Sequence, residues 1–160
     1  MATAYIETTI PSYYVARPSN SLIQASRQAS TRELWDGGCS GLDLVTSLET
    51  LDETAKGDEE MAVARHVLLS AVRLLLVTDE VIALASTLVS TGLVPAKAAS
   101  DAMHIAVASV HGIDYLLTWN FKHIANPFSR DRLRIAVADA GFKLPVMCSP
   151  DELLQNNEDD

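Results

Sequence analysis

Short apolar runs alternate along the chain with longer stretches of helical periodicity, and this alternation predicts repeated strand-helix units. Residues 4–7 (Ala-Tyr-Ile-Glu) read as a first strand, ended over residues 8–12, where Pro11 stops further pairing. Ser21 is placed to cap a helix over residues 22–35, which Gly37 and Gly38 close. A second strand follows at residues 41–46. Ser47 then caps a helix over residues 48–55 that breaks at Gly57. Residues 58–72 repeat apolar positions at helical spacing (Met61, Ala64, Val67, Leu68, Ala71), and residues 74–77 supply a buried third strand. A helix runs from Asp79 to about Ser90, Gly92 closes it, and Pro95 opens the next, over residues 97–111. Ala98, Ala102, Ile105, Ala106 and Ser109 give that helix a small-residue face suited to close packing on a sheet. After Gly112, residues 115–118 form a fourth strand that leads out through Trp119-Asn120-Phe121. A helix over residues 130–140 stops at Gly141, and residues 144–148 make a fifth strand, at or near an edge because of Pro145.

Strands that are apolar throughout, each followed by a helix, predict a parallel sheet of about five strands covered on both faces, a three-layer α/β/α fold. In such sheets ligands bind beyond the carboxyl ends of the strands, at the point where the crossover direction switches. Glu7 and Asn120 fall there directly. Asp101 lies in the first turns of the helix feeding the same region, and Glu53 sits two turns into its own helix. Separations of 46, 48 and 19 residues bring these four oxygen-bearing side chains together only if the strand-helix units fold as read. Periodicity alone leaves open whether strands one and four are neighbours.

With 160 residues, 48% hydrophobic and 21% charged, the expectation is one packed domain over residues 1–154, with residues 155–160 an acidic tail that frays into solvent. No apolar run reaches the roughly 20 residues that span a bilayer, so no membrane association is expected. The first residues lack a basic region followed by an apolar stretch, and a cytoplasmic location is expected. Cys39 and Cys148 lie far apart without metal-ligand spacing and read as buried reduced thiols. A formal charge of −9 argues against gripping nucleic acid with the whole surface. It does not argue against a nuclease, because a bound cation reverses the sign locally.

Four blocks resemble the PIN domain, the nuclease domain of VapC-type toxins and of other RNA-processing proteins. They are Tyr5-Ile6-Glu7-Thr8-Thr9-Ile10-Pro11-Ser12, Ser47-Leu48-Glu49-Thr50-Leu51-Asp52-Glu53, Ser100-Asp101-Ala102-Met103-His104-Ile105-Ala106-Val107-Ala108, and Tyr115-Leu116-Leu117-Thr118-Trp119-Asn120-Phe121-Lys122-His123-Ile124. The last two are the most specific. The resemblance implies a PIN-like fold and a metal-dependent endoribonuclease, a hydrolase of RNA phosphodiesters using Mg²⁺ or Mn²⁺. It further implies the toxin of a toxin–antitoxin pair, with RNA as substrate, an antitoxin protein as partner and a homodimer as the expected assembly. Carried over position by position, the acidic set falls on Glu7, Glu53 and Asp101 and its fourth polar position on Asn120, as both metal ligands and catalytic residues.

Two positions depart from the common pattern. Glu stands at the first where Asp is more frequent, and Asn120 removes one negative charge at the fourth while leaving a carbonyl oxygen that can ligate a hard cation. Asn120 therefore keeps a second reading open, a weak or inactive PIN-like module that binds RNA or protein. Glu49 competes for the second acid, but the spacing from Ser47 favours Glu53 and turns Glu49 to solvent. The roles of Glu53 and Asp101 in orienting an attacking water are not separable at this stage. Thr9 and Thr118 are supporting candidates through their hydroxyls. Lys122 and His123 are weak substrate-binding candidates, with Arg17, Arg130 and Arg132 extending the strip. His104 reads as a satisfied, partly buried histidine, His111 as a helix C-terminal cap, Trp35 as core, and Tyr13 and Tyr14 as an antitoxin-facing pair. A nucleotide- or flavin-binding module is disfavoured, because no glycine-rich loop follows the first strand.

Overall fold

In the computed structural model, which describes residues 1–39 and 41–154, the first β-α crossover begins with strand β1 (Ala2–Ile6). The chain turns at once into helix α1 (Thr9–Val15). Pairing stops before Pro11, as expected; the helix over this stretch was not anticipated, and Pro11 sits in its first turn, where a missing N–H costs nothing. Helix α2 (Leu22–Glu33) is capped by Ser21, whose hydroxyl accepts from the Gln24 N–H, and it widens into a π-turn over Leu34–Gly38. Strand β2 (Leu42–Ser47), helix α3 (Leu48–Thr54) and helix α4 (Glu59–Leu69) follow. Ser47 makes no side-chain cap to α3, contrary to expectation, because its hydroxyl is taken by Tyr5.

Strand β3 (Arg73–Leu75), helix α5 (Asp79–Ser90), a 3₁₀ turn at Ala96–Ala98 and helix α6 (Ala99–Val110) lead to strand β4 (Tyr115–Leu117). Helix α7 (Arg130–Asp139), strand β5 (Val146–Cys148) and a short helix α8 (Pro150–Leu154) complete the described chain. The last was not anticipated: its residues were placed in the packed domain without a secondary-structure reading. The expectation for residues 155–160 lies outside the described residues.

All five strands are parallel, in the order β3-β2-β1-β4-β5. β1 is therefore central, paired with β2 on one side and β4 on the other, and the sheet reverses its winding at β1. Alternation along the strands assigns the two cores. Tyr5, Leu116 and Met147 point into the larger one with α5, α6 and α7; Ala4, Ile6, Leu117 and Cys148 point into the other with α1, α2, α4 and α8. No helix among the described residues is long and apolar enough to cross a membrane.

Candidate functional site

Beyond the carboxyl end of β1, backbone pairing continues one residue further: the Glu7 N–H donates to the Leu117 carbonyl at 3.3 Å. This fixes the Glu7 carboxylate in the crevice between β1 and β4, only 3% exposed. Its Oε2 accepts from the Thr9 hydroxyl (2.5 Å), the Thr118 hydroxyl (2.7 Å) and the Thr9 N–H (3.2 Å). Both hydroxyls are held from behind, Thr9 by the Trp119 N–H at 2.8 Å and Thr118 by the Asn120 N–H at 2.9 Å. The loop leaving β4 thus locks the acid at the end of β1. Burial pushes the Glu7 pKa up, and the His104 charge and the two hydroxyls only partly reverse that.

Glu53 approaches from α3. Its Oε1 accepts from the Thr8 hydroxyl at 2.6 Å and meets His104 Nε2 at 2.5 Å. Burial works to raise its pKa, but the His104 and Thr8 hydrogen bonds outweigh it and the net shift is downward. Asp101, in the first turn of α6, behaves in the opposite way. Burial raises its pKa, and the Asn120 side chain and the His104 and His123 charges do not cancel the rise, to which Glu53 adds. Two neighbouring carboxyls are thereby pushed apart in acidity.

Asn120 stands beside Asp101, yet its Oδ1 already accepts the His123 N–H at 3.0 Å, closing an Asx-type turn. The carbonyl oxygen expected from the sequence to face a cation is thus engaged with backbone, and its amide serves Asp101. Lys122 is exposed on the same turn, and His123 is half-buried and close enough to act on Asp101. Arg17 lies in an exposed ion cluster with Asp58 and Glu60. Glu49 does not turn freely to solvent: it accepts from the Ser100 hydroxyl at 2.5 Å, fastening α3 to the start of α6.

The residue that joins these groups is His104. Its ring is fully buried, with Nδ1 2.7 Å from the Tyr5 hydroxyl and Nε2 on Glu53, and its charge acts on Glu7, Glu53 and Asp101 alike. Burial opposes a charged ring, but Tyr5, Glu53 and Glu7 overcome it and the pKa is pushed up to about 10. Tyr5 also bonds the Ser47 hydroxyl at 2.7 Å, so the network continues into β2. Sequence reading noticed that His104 lies one helical turn after Asp101 but took it for a satisfied, partly buried histidine, and it gave Tyr5 and Thr8 no role. For Thr8 the available signal was its place directly after Glu7.

No protein-family profile and no curated protein matches the sequence. Among solved structures the chain is similar to the crystal structure of VapBC2 from Rickettsia felis bound to a DNA fragment from their promoter, with a TM-score of 0.54 and 14% identity over 92% of this chain and 98% of that one. The fold is PIN-like. At that identity the likeness concerns the fold, while the side chains argue for themselves.

A PIN-like fold with this donor set suits a hard divalent cation in chemistry, because carboxylate oxygens dominate it. Glu7 and Glu53 are each tethered through one oxygen, and no donor among the described residues reaches Oε1 of Glu7 or Oε2 of Glu53. Each offers one free oxygen on a clamped carboxylate. As arranged, no three Asp, Glu, His or Cys side chains among the described residues gather closely enough to hold one ion.

Proposed function

We propose that the chain is a metal-dependent endoribonuclease of the PIN type and the toxin of a toxin–antitoxin pair. The observation that supports this reading is that Glu7, Glu53 and Asp101 all feel the charge of one buried histidine at the winding reversal of a PIN-like sheet, with Asn120 beside Asp101. Glu7, Glu53 and Asp101 are the residues to hold Mg²⁺ or Mn²⁺. When bound, the ion supplies Lewis-acid polarisation of the scissile phosphate and a more acidic water. Glu7, immobilised by three donors, anchors charge at the sheet edge of the site. Glu53, whose pKa burial raises less than the His104 and Thr8 hydrogen bonds lower it, is the acid that favours its anionic form. Asp101, with its raised pKa, is the carboxyl suited to accept a proton from an attacking water. Asn120 orients Asp101, while Lys122 and His123 stand where the substrate's phosphates approach. RNA as substrate, an antitoxin as partner and a homodimer as assembly belong to the same reading, and the antitoxin gains support from the neighbour's being a VapBC complex.

A second reading, an inactive PIN-like module that binds RNA or protein, is favoured by one observation: Asn120 Oδ1 is already engaged and no three ligating groups are gathered. Mn²⁺ affinity and RNA cleavage, with and without EDTA, separate the two in wild type and in Asp101→Ala. Metal-dependent cleavage lost in the variant is the nuclease outcome. Cleavage retained in Asp101→Ala overturns the site, and RNA binding without metal or cleavage establishes the second reading.

A further inference from the structure

Tyr5 is an unusual residue for the middle of a central parallel strand, where apolar side chains dominate. It is fully buried among Val45, Ala102, Ile105 and Leu116, and its hydroxyl has to be satisfied there. Three polar groups surround that oxygen: Ser47 Oγ at 2.7 Å, Thr50 Oγ1 at 3.4 Å and His104 Nδ1 at 2.7 Å. The far nitrogen of the same ring meets Glu53 Oε1 at 2.5 Å, with the Thr8 hydroxyl on the same oxygen. A purely structural histidine satisfied by backbone needs none of this. The chain Ser47–Tyr5–His104–Glu53 runs from the sheet to one oxygen of one acid and stops, and Oε2 of that acid meets no donor among the described residues.

We propose that His104, braced by Tyr5, is a positioning residue for Glu53: it fixes Oε1 so that Oε2 is presented in one orientation to the reacting centre. The inference rests on the nuclease reading for its catalytic consequence, but the Tyr5–His104–Glu53 geometry stands independently of it. A carboxylate at a helix's second turn has several rotamers open to it, and a ring held at both nitrogens selects one. The cost of releasing such a partner is about 10–100-fold in activity or metal affinity.

The experiment is a double-mutant cycle in the full chain. His104→Ala lowers kcat by about 10–100-fold with little change in KM, and His104→Gln, which keeps an N–H directed at Glu53, recovers much of the loss. In a Glu53→Ala background, His104→Ala has no further effect on kcat. Additive losses, or equal losses in Ala and Gln variants that stay folded, overturn the proposal. Wild type without RNA cleavage is failure of the nuclease reading, and the positioning claim is then read from the ¹⁵N resonances of the His104 ring. Glu53→Ala shifts the Nε2 signal and Tyr5→Phe, which removes one oxygen and no volume, shifts the Nδ1 signal. Unmoved resonances in folded variants overturn the proposal whatever the catalytic outcome.

Discussion

Glu7 is a buried acid whose surroundings disfavour its charged form, and Glu7→Gln separates function from stability. Three donors converge on one oxygen that Gln still supplies, so the fold persists, and removal of a buried charge leaves the thermal midpoint equal or higher. Mn²⁺ affinity and RNA cleavage fall by at least the roughly 10–100-fold associated with outer partners of metal ligands. A lowered midpoint with cleavage intact is the contrary result. His104 sets the pH dependence of stability. A base whose folded pKa exceeds its unfolded value binds more protons in the native state, so its contribution is full below about 6.5 and disappears as pH rises through about 10. Unfolding followed from pH 6.5 to 10 shows a falling midpoint in wild type and a flatter profile in His104→Gln. At this scale the sequence revealed the acids and, in Thr9 and Thr118, the hydroxyls on Glu7, but it concealed the groups that hold Glu53. Glu7 and Asp101 stand at element ends, where a polar residue after an apolar run is conspicuous. His104 is embedded between Met103 and Ile105 in a buried helix, where a single imidazole looks like any other satisfied core polar group.

Helix boundaries followed the capping chemistry where a side chain had no competing partner. Ser21 caps α2 as its sequence context suggests, and Thr78, not singled out beforehand, caps α5 where Asp79 was expected to start it, whereas Ser47 is claimed by Tyr5 across the sheet, a tertiary contact invisible along the chain. Pro11 was read as the end of a strand but not as the start of α1, because a proline marks either equally well and only the tight β1-to-α1 junction shows both. Helix α8 carries half of a capping box: the Glu152 carboxylate accepts the Ser149 N–H at 3.2 Å, while the Ser149 hydroxyl donates to Asp151 and Glu152 and accepts no helix N–H. Ser149→Ala, which removes that hydroxyl, costs about 1 kcal/mol of global stability by urea titration if α8 unfolds with the domain. No measurable change would mark α8 as a separately fraying element. The small side chains of α6 were legible as a packing face, and the structure extends burial around most of the helix, from Ala102 to Ser109.

For the molecule as a whole, net charge limits how RNA would be held under the proposed nuclease reading. With −9 overall and only a few cations near the acids, such as Lys122 and His123, few phosphates can be neutralised. A plot of log affinity against log salt concentration for single-stranded RNA has a slope of magnitude about 3 or less, given about 0.7 per phosphate contact. A much steeper slope means a basic surface supplied by a second copy or another chain. Alternation of strands and helices made the layered fold readable, but not the neighbours of β1, since pairing with β4 joins residues separated by more than a hundred positions. That long closure has a consequence for synthesis. The central strand leaves the ribosome first, and one of its two flanks, with the threonine that locks Glu7, arrives only after residue 118. A growing chain therefore carries its acids unassembled through most of translation. If those acids cut RNA, the nascent protein is harmless to the message that encodes it until the domain is nearly finished.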